Sequence, residues 1–359
     1  LSMFDVLKKW YHRYLSEEES VLLLILLAAS LILLAFLGDV LVPIMVAIVL
    51  AYLMQGVANQ LVSWGLSATV GVWVSTLLFT GAFFAFSLGL VPLVWRQLIS
   101  LAREAPAMIE EARQALSVLP ESYPALVSHE QLNQVTSMVQ GEMAHFGQMA
   151  LTKGLGSIPR LLAVLVYMVL IPLMVFFFLK DRDVIVRWTL SFLPAERPLL
   201  STIWAEMNQQ IANYARGKVI EIIIVGAVSY FVFTVLGLNY AALLGLLVGL
   251  SVIIPYIGAA LVTIPVAFVA YFQWGLTPDF YWVVAAYTVV QTLDGNVLVP
   301  LLFSEAVNLH PVAIIVAVLF FGGVWGVWGV FFAIPLATLV NAIITSWPTR
   351  LLEHHDNQA

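Results

Sequence analysis

Asp294 is the residue whose type and position most clearly indicate chemistry in this chain. It lies inside a long apolar segment, far enough from either end that its side chain cannot easily reach water. A charge at membrane depth is unfavourable, and such residues mark proton or ion pathways. Gln291 lies on the same helical face, whereas Asn296 falls on another face unless the helix breaks at Gly295. Asp294 and Gly295 also suit a second role, as a cap that binds backbone amides freed by a helix break.

A very long apolar run, residues 240–272, carries helix-breaking residues in its middle, at Pro255, Tyr256 and Gly258. A helix of ~34 residues would be ~50 Å long, well beyond the ~30 Å hydrocarbon core of a bilayer. A helix broken at membrane depth exposes backbone groups that only buried protein or a watery cavity can satisfy. Transporters build midplane sites in this way. We therefore predict a pathway for a substrate or coupling ion lined by Asp294, Gln291, Asn296, Pro255, Tyr256 and Gly258.

A second long run, residues 311–344, is interrupted by glycines. Gly322 and Gly326 form a G-x-x-x-G pattern, which signals close packing between helices. Because glycine also weakens a helix, the same stretch is a candidate for a hinge or a helix break. The predicted hinge or break residues are Gly295, Gly322, Gly323, Gly326 and Gly329.

Composition indicates the class of protein that must position these residues. Of 359 residues, 62% are hydrophobic and only 10% are charged, whereas soluble domains carry about 25% charged residues. No cysteine is present, which excludes disulfides and thiolate sites. We predict an all-α, polytopic helical membrane protein with about eight hydrophobic segments, two broken or re-entrant helices and a candidate internal repeat.

Polar stretches divide the hydrophobic segments. The first two segments are separated at Gly38 and Asp39, and apolar stripes at helical spacing follow at 132–150 and 200–214. The predicted regions are a cytoplasmic N-terminal segment (1–20), transmembrane segments one to three (21–95), an extracytoplasmic amphipathic helical insertion (96–157), segment four (158–179), cytoplasmic amphipathic helices (180–218), a transmembrane core with the broken helices (219–346) and a cytoplasmic tail (347–359).

Lys and Arg residues near the segment ends predict the orientation. With the N-terminus inside, ten of them fall on the inner side and five on the outer side, so the positive-inside rule places both termini in the cytoplasm. Glu221 lies one turn into the fifth segment, near Lys218 and Arg216. We interpret these three residues as a charge group at the membrane interface, with a role in the transport path as the alternative.

The two broken runs share a similar spacing of Asn and Pro residues. Asn239 and Pro265 lie 26 residues apart, and Asn308 and Pro335 lie 27 apart. If both runs are re-entrant hairpins, the two units have inverted topology, as in alternating-access folds. If both span the membrane, the units are parallel. Coincidence among apolar segments is the third interpretation.

Enzymatic signatures are absent from the sequence. There is no G-x-x-x-x-G-K-[ST] loop and no H-E-x-x-H motif. An intramembrane aspartyl protease needs two carboxylates, and Asp294 is the only Asp deep in a segment. No basic patch supports nucleic-acid binding. We therefore predict a protein that is not an enzyme and needs neither a cofactor nor a metal.

The order of motifs resembles that of the autoinducer-2 exporter (AI-2E) superfamily of bacterial inner-membrane proteins, in particular its PerM-type permeases. The resemblance covers nearly the whole chain, and the stretches that carry it are residues 254–258, 291–300, 308–311, 322–329 and 333–335. It implies a multi-pass protein of the bacterial inner membrane and a homo-oligomer, by analogy a pentamer, whose protomers move in an elevator-like manner. Members of the group have been linked to autoinducer-2, to sodium/proton exchange and to roles without a known substrate.

We first hypothesise a secondary transporter of a small solute or ion, in which protonation or cation binding at Asp294 couples transport to an ion gradient. The alternative is a scaffold or regulatory membrane protein that binds envelope partners through residues 96–157 and transports nothing. A channel with a hinge at 322–329 is a third hypothesis. The bilayer is the partner common to all three.

Overall fold

The computed structural model describes residues 18–116, 158–193, 198–255, 257–303 and 309–346, together with positions 130, 134, 137, 138, 141, 142, 145 and 148. These residues are mostly helical, with short turns between the helices, and include no strand. Seven of the described helices are long and apolar enough to cross a membrane, and two shorter apolar helices accompany them. The predicted class, an all-α polytopic membrane protein, is confirmed. The predicted stripe at 132–150 lies outside the described residues apart from a few exposed positions.

Within the described residues 18–116 and 158–193, five helices precede residue 194. Ser67 caps the second helix by accepting a hydrogen bond from the Val70 amide, and Ala47, Phe79 and Val175 pack together in the core of this part. The helices are α1 (Glu18–Ser63), α2 (Ala68–Ala85), α3 (Val91–Leu116), α4 (Ile158–Lys180) and α5 (Arg182–Leu190), with a π-helical turn (Phe86–Leu90) between α2 and α3.

Two helices in this part continue past a predicted segment boundary. α1 passes through Gly38 and Asp39 without a break, because single unfavourable residues only weaken a helix that apolar runs extend on both sides. Likewise α3 continues to Leu116, beyond the predicted end of the third segment at residue 95. The first residues of the predicted insertion therefore continue the helix that carries the end of the third segment.

The remaining helices form the part that holds the two broken runs. α6 is one continuous helix that crosses the predicted boundary at residue 218. The helices are α6 (Pro198–Val235), α7 (Ala241–Ser251), α8 (Ile257–Trp274), α9 (Pro278–Leu293), α10 (Val299–Phe303), α11 (Pro311–Phe331) and α12 (Ala333–Ser346), with a π-helical turn (Asp294–Leu298) between α9 and α10.

The first broken run folds back on itself as a helical hairpin, residues 241–274, here called hairpin 1. A Cβ atom at Gly258 would overlap the carbonyl oxygen of Ser251, although residues seven apart in a straight helix are separated by ~10 Å. Pro255 lies in the turn, where its missing amide hydrogen prevents continuation of the helix. Further from the turn, Val248 and Val266 are buried in one cluster.

The second broken run forms hairpin 2, residues 311–346. Gly326, in the last third of α11, has φ 60° and ψ −141°, a backbone conformation that residues other than glycine strongly disfavour. A Cβ atom at Gly329 would overlap the Phe321 carbonyl oxygen, and one at Gly322 would lie 2.8 Å from Val330 Cγ2. Both breaks are thus confirmed, and the chain reverses direction at each of them.

Hairpin 1 is attached closely to α6. A Cβ atom at Gly245 would lie 2.8 Å from the backbone of Tyr230, and one at Gly249 would lie 2.7 Å from the Ile222 carbonyl oxygen. Glycines four residues apart let two helix backbones approach each other in this way. The close-packing glycine pair of this fold is therefore Gly245 with Gly249, whereas Gly326 forms a turn.

α3 holds the beginning of hairpin 1. The Gln97 side-chain oxygen accepts a hydrogen bond from the Leu243 amide, 2.8 Å away, and so satisfies one of the free donors of the first turn of α7. The Tyr240 hydroxyl donates to Glu104 at 2.5 Å. Burial, with the hydrogen bond to Glu104, raises the pKa of Tyr240 above its ordinary value, so this hydroxyl keeps its proton.

Candidate functional site

Both hairpin turns meet the middle of α6. Ile253 from hairpin 1 and Trp325 and Trp328 from hairpin 2 pack in one apolar cluster with Val219 and Ile222. The broken ends of two helical runs are therefore gathered around one segment of a continuous helix. Only packed protein or a water-filled space can satisfy the backbone groups freed there.

A cavity of about 520 Å³, here called the central cavity, lies beside this meeting point. Its size is that of a small-molecule site. It is bounded by α6, the turn of hairpin 1, the end of α9 with the π-helical turn and α10, and the base of hairpin 2. The lining residues are Tyr214, Lys218, Glu221, Val252, Ile254, Pro255, Ala259, Gln291, Asp294, Gly295, Val299, Pro300, Phe303, Leu309, Ile314 and Ile334.

A buried ion pair forms one wall of the central cavity. Lys218 Nζ lies 2.7 Å from Glu221 Oε2, and the two side chains are 6% and 2% exposed. They stand three residues apart on α6, so they share one helical face. Removing two charges from water is unfavourable unless each has a close partner. A pair kept at this depth is therefore a strong functional candidate.

Lys218 also binds the broken backbone of hairpin 1. Its Nζ donates to the Val252 carbonyl oxygen at 3.0 Å, directly after the end of α7. It lies 5.2 Å from the centre of the Phe303 ring, within the range of a cation–π contact. Gly217 leaves space for that ring, because a Cβ atom there would lie 2.7 Å from Phe303 Cε1. One ammonium group thus joins α6, hairpin 1 and α10.

Asp294 faces Lys218 and Glu221 across the central cavity, at the first position of the π-helical turn. Such turns are frequent at functional sites, because they redirect a side chain without ending the helix. Three buried polar atoms that line the cavity make no hydrogen bond within the described part of the chain: Asp294 Oδ1, Gln291 Nε2 and the Tyr214 hydroxyl oxygen. Buried polar atoms normally have partners, so these are free to bind a ligand, an ion or water.

The charges of the central cavity do not balance. Its lining contains one cation, Lys218, and two carboxylates, Glu221 and Asp294. With all three ionised the formal charge is −1, which one proton or one monovalent cation neutralises. In a medium of low dielectric constant an uncompensated charge is strongly unfavourable. The arrangement can therefore bind and release a single positive charge.

A second cavity of about 310 Å³ adjoins the first between α8 and α9. Ala259 and Gln291 line both spaces. Its further lining includes the small residues Ala260, Thr263 and Ala267, which leave room between the two helices. The central cavity around Asp294 therefore has a neighbouring space between α8 and α9, separated from it by Ala259 and Gln291.

The structure brings together part of the predicted pathway. Asp294, Gln291, Pro255 and the predicted hinge residue Gly295 line the central cavity. Gly258 instead closes the turn of hairpin 1 against Ser251. Tyr256 lies outside the described residues.

Asn296 is not part of the cavity lining. It is exposed, and its side-chain amide donates to the Thr292 carbonyl oxygen at 2.9 Å. Among the predicted break glycines, Gly322, Gly326 and Gly329 take part in the fold-back of hairpin 2, whereas a Cβ atom at Gly323 would meet no atom within 4 Å.

The interpretation of Glu221 and Lys218 as interfacial charges is wrong. They are 2% and 5% exposed, inside the protein. The error arose from placing the start of the fifth segment at Val219, although α6 begins at Pro198. The sequence signal that could have identified the pair is the spacing of Lys218 and Glu221. Lys and Glu three residues apart lie on the same face of a helix, where their charges neutralise each other.

Comparisons with known proteins agree with the motifs of the sequence. A family model described as "AI-2E family transporter" matches residues 23–349. The chain is 45% identical over 346 residues to "Putative permease PerM" of Escherichia coli (strain K12), covering 96% of this chain and 98% of that protein. It is 25% identical over 320 residues to "Putative transport protein YrrI" of Bacillus subtilis (strain 168), covering 88% of each. The inferred resemblance is confirmed, and this multi-pass membrane protein belongs to the AI-2E family of transporters.

Proposed function

We propose that this protein is a secondary transporter that moves a small solute or ion across the bacterial inner membrane by alternating access. The observation that carries the proposal is the central cavity, which lies where two helical hairpins meet and contains one lysine and two carboxylates. Broken helices around a polar midplane site are the usual architecture of such transporters. In this proposal Asp294, Gln291 and Pro255 line the path of the substrate or coupling ion.

Coupling follows from the surplus negative charge. When Asp294 is ionised and unoccupied, Lys218 is attracted by two carboxylates, Glu221 and Asp294. A proton or cation on Asp294 leaves Lys218 paired with Glu221 alone. Because Lys218 also binds the Val252 carbonyl oxygen of hairpin 1, the charge state of the cavity changes the forces on the hairpin. An ion gradient can in this way change the conformation of the broken helices.

The moving part in this proposal is α6 with the two hairpins, which shift in an elevator-like manner against α1, α2 and α4. A contact between the two parts is the hydrogen bond from Arg216 Nε to the Tyr52 carbonyl oxygen, 3.0 Å long, beside Gly56. Further parts of the proposal are cytoplasmic termini and a homo-oligomer, as the family resemblance implies.

Single-cysteine labelling tests the proposal. Because the sequence contains no cysteine, an introduced cysteine is the only thiol that the reagent can label. Cysteine replaces Ala259, which lines both cavities, and a membrane-impermeant thiol reagent is applied from each face of oriented vesicles. We expect labelling from both faces, because alternating access opens the cavity to each side in turn. A cysteine at Leu319, which is 67% exposed on the outer surface, is the lipid-facing control and stays unlabelled.

Two labelling results would contradict alternating access. If position 259 is protected from both faces, or reacts from one face only under all conditions, the cavity does not alternate. A packed bundle protected on both sides would favour the scaffold hypothesis, in which the protein binds envelope partners. Capture of such a partner without any flux of solute or ion would then be the observation to seek.

A further inference from the structure

A third cavity of about 350 Å³, here called the lateral pocket, lies apart from the central cavity and shares none of its lining. It is formed between α1, the end of α4 with α5, and the first half of α6, which are the two parts proposed to move against each other. Its lining residues are Ile48, Ala51, Tyr52, Gln55, Phe178, Arg182, Asp183, Ile185, Val186, Trp204 and Asn208.

The lateral pocket is amphipathic. One portion is apolar, with Ile48 from α1, Phe178 from α4 and Val186 from α5. The other portion is polar, and there the Tyr52 hydroxyl donates to Asn208 Oδ1 at 2.8 Å. A soluble ion would leave the apolar portion empty, and a purely apolar ligand would leave the polar portion without partners. An amphipathic ligand fits both portions.

The position of the lateral pocket corresponds to the surface of the bilayer. α4, one of the candidate spans, ends at Lys180, two residues before Arg182. Trp204 is 54% exposed. It precedes Lys218, which the proposed function places at the midplane, by 14 residues of α6, about 21 Å along the helix, whereas half the hydrocarbon core is about 15 Å. Trp188 and Phe192 are 64% and 70% exposed, and exposed aromatic side chains concentrate at membrane interfaces.

We propose that the lateral pocket binds a membrane phospholipid whose headgroup carries both a phosphate and a primary ammonium group. Arg182 and Asp183 present opposite charges side by side in the lining. Arginine is the side chain best suited to phosphate oxygens, and a carboxylate accepts hydrogen bonds from an ammonium group. An anionic lipid without an amine would leave Asp183 facing negative charge. The glycerol and the first carbons of the acyl chains contact the apolar portion, and the rest of the chains extends into the bilayer.

Native mass spectrometry of the purified full-length protein in detergent tests this assignment. Phosphatidylethanolamine, phosphatidylglycerol and phosphatidylcholine with identical acyl chains are titrated separately, and bound lipid per protomer is counted. We expect phosphatidylethanolamine to bind most tightly, since phosphatidylglycerol lacks the ammonium group and methylation of phosphatidylcholine removes its hydrogen-bond donors. Arg182→Gln should weaken this binding about tenfold, the usual effect of one charge-assisted hydrogen bond.

Two further variants separate a specific site from general lipid contact. Asp183→Asn should abolish the preference for phosphatidylethanolamine over phosphatidylcholine while leaving binding of the latter unchanged. Arg187→Gln is the matched control, because Arg187 lies on the same helix α5 but does not line the pocket, and it should leave lipid binding unaltered. Equal binding of all three lipids, preference for phosphatidylglycerol, or equal losses in Arg182→Gln and Arg187→Gln would overturn the proposal. Each of these outcomes is independent of whether the protein transports anything.

Discussion

The two hairpins are closed in the same way but are lined differently at their turns. Gly258 in hairpin 1 and Gly329 in hairpin 2 each lie where a Cβ atom would overlap a backbone carbonyl oxygen of the opposite arm. Beside the turn of hairpin 1 the Val252 carbonyl oxygen is bound by Lys218. At the turn of hairpin 2 the surroundings are aromatic, and the Trp325 and Phe332 rings are stacked 6.1 Å apart.

This difference teaches that helix reversal and ion chemistry have separate sequence requirements. Reversal needs a glycine opposite a backbone carbonyl, and both hairpins have one. Chemistry needs a charged partner for the freed backbone, and among the described residues the lining of the central cavity supplies it at hairpin 1. In the proposed function, the ion-dependent role therefore belongs to hairpin 1, and the turn of hairpin 2 has a packing role.

The largest effect is expected at the buried ion pair that distinguishes hairpin 1. Glu221→Gln removes the carboxylate in direct contact with the Lys218 ammonium and leaves only Asp294 across the cavity, which should destabilise the protein by about 3–5 kcal/mol. The double variant Lys218→Met/Glu221→Leu removes both charges and should recover most of that loss. Thermal unfolding in detergent measures both. A Glu221→Gln protein as stable as the parent would contradict the ion pair, and with it the contrast between the hairpins.

The next effect tests the feature that the hairpins share. Gly258→Ala and Gly329→Ala each place a methyl group against a carbonyl oxygen, and each should destabilise the protein by about 3 kcal/mol through forced backbone movement. Gly323→Ala is the control in hairpin 2, because a Cβ atom there meets nothing within 4 Å. Unfolding temperatures measure these effects. If only one of the two substitutions lowers the unfolding temperature, the two chain reversals are not equivalent.

A smaller effect is expected at the turn of hairpin 2 itself. Gly326→Ala retains the fold but places a side chain at φ 60° and ψ −141°, a strain of about 1–3 kcal/mol. Because this turn has no charged partner in the proposed mechanism, the accessibility of a cysteine at position 259 should respond to pH as in the parent. A loss of that response in Gly326→Ala would mean that hairpin 2 also participates in coupling.

Much of the fold follows from the sequence. The apolar runs are longer than a bilayer is thick, and Pro255 or clustered glycines in their middles predict the breaks that the structure contains. Asp294 could be singled out because a carboxylate within an apolar helix is unfavourable without a purpose. In each of these cases a residue differs from its immediate neighbours in the sequence in polarity or in helix propensity.

The rest depends on tertiary contacts that no local pattern reveals. In the sequence, Lys218 and Glu221 look like charged residues at the end of a hydrophobic segment. They form a buried pair only because Val252 and Phe303 pack around them in the folded protein. The close approach of Gly245 to α6 is likewise invisible without the partner helix. Conversely, Gly38 and Asp39 resemble a break but lie inside α1, since helix propensity is a weak preference that long apolar runs override.

One measurement tests the central claim, that the surplus carboxylate of the central cavity controls access to it. A cysteine at position 259 is labelled from each face over a range of pH, in the parent and in Asp294→Asn. Because Asp294 Oδ1 makes no hydrogen bond within the described residues, the variant should fold and remain close to the parent in thermal stability. The account predicts that the ratio of labelling from the two faces changes with pH in the parent and is constant in Asp294→Asn. The same pH response in both proteins would contradict it.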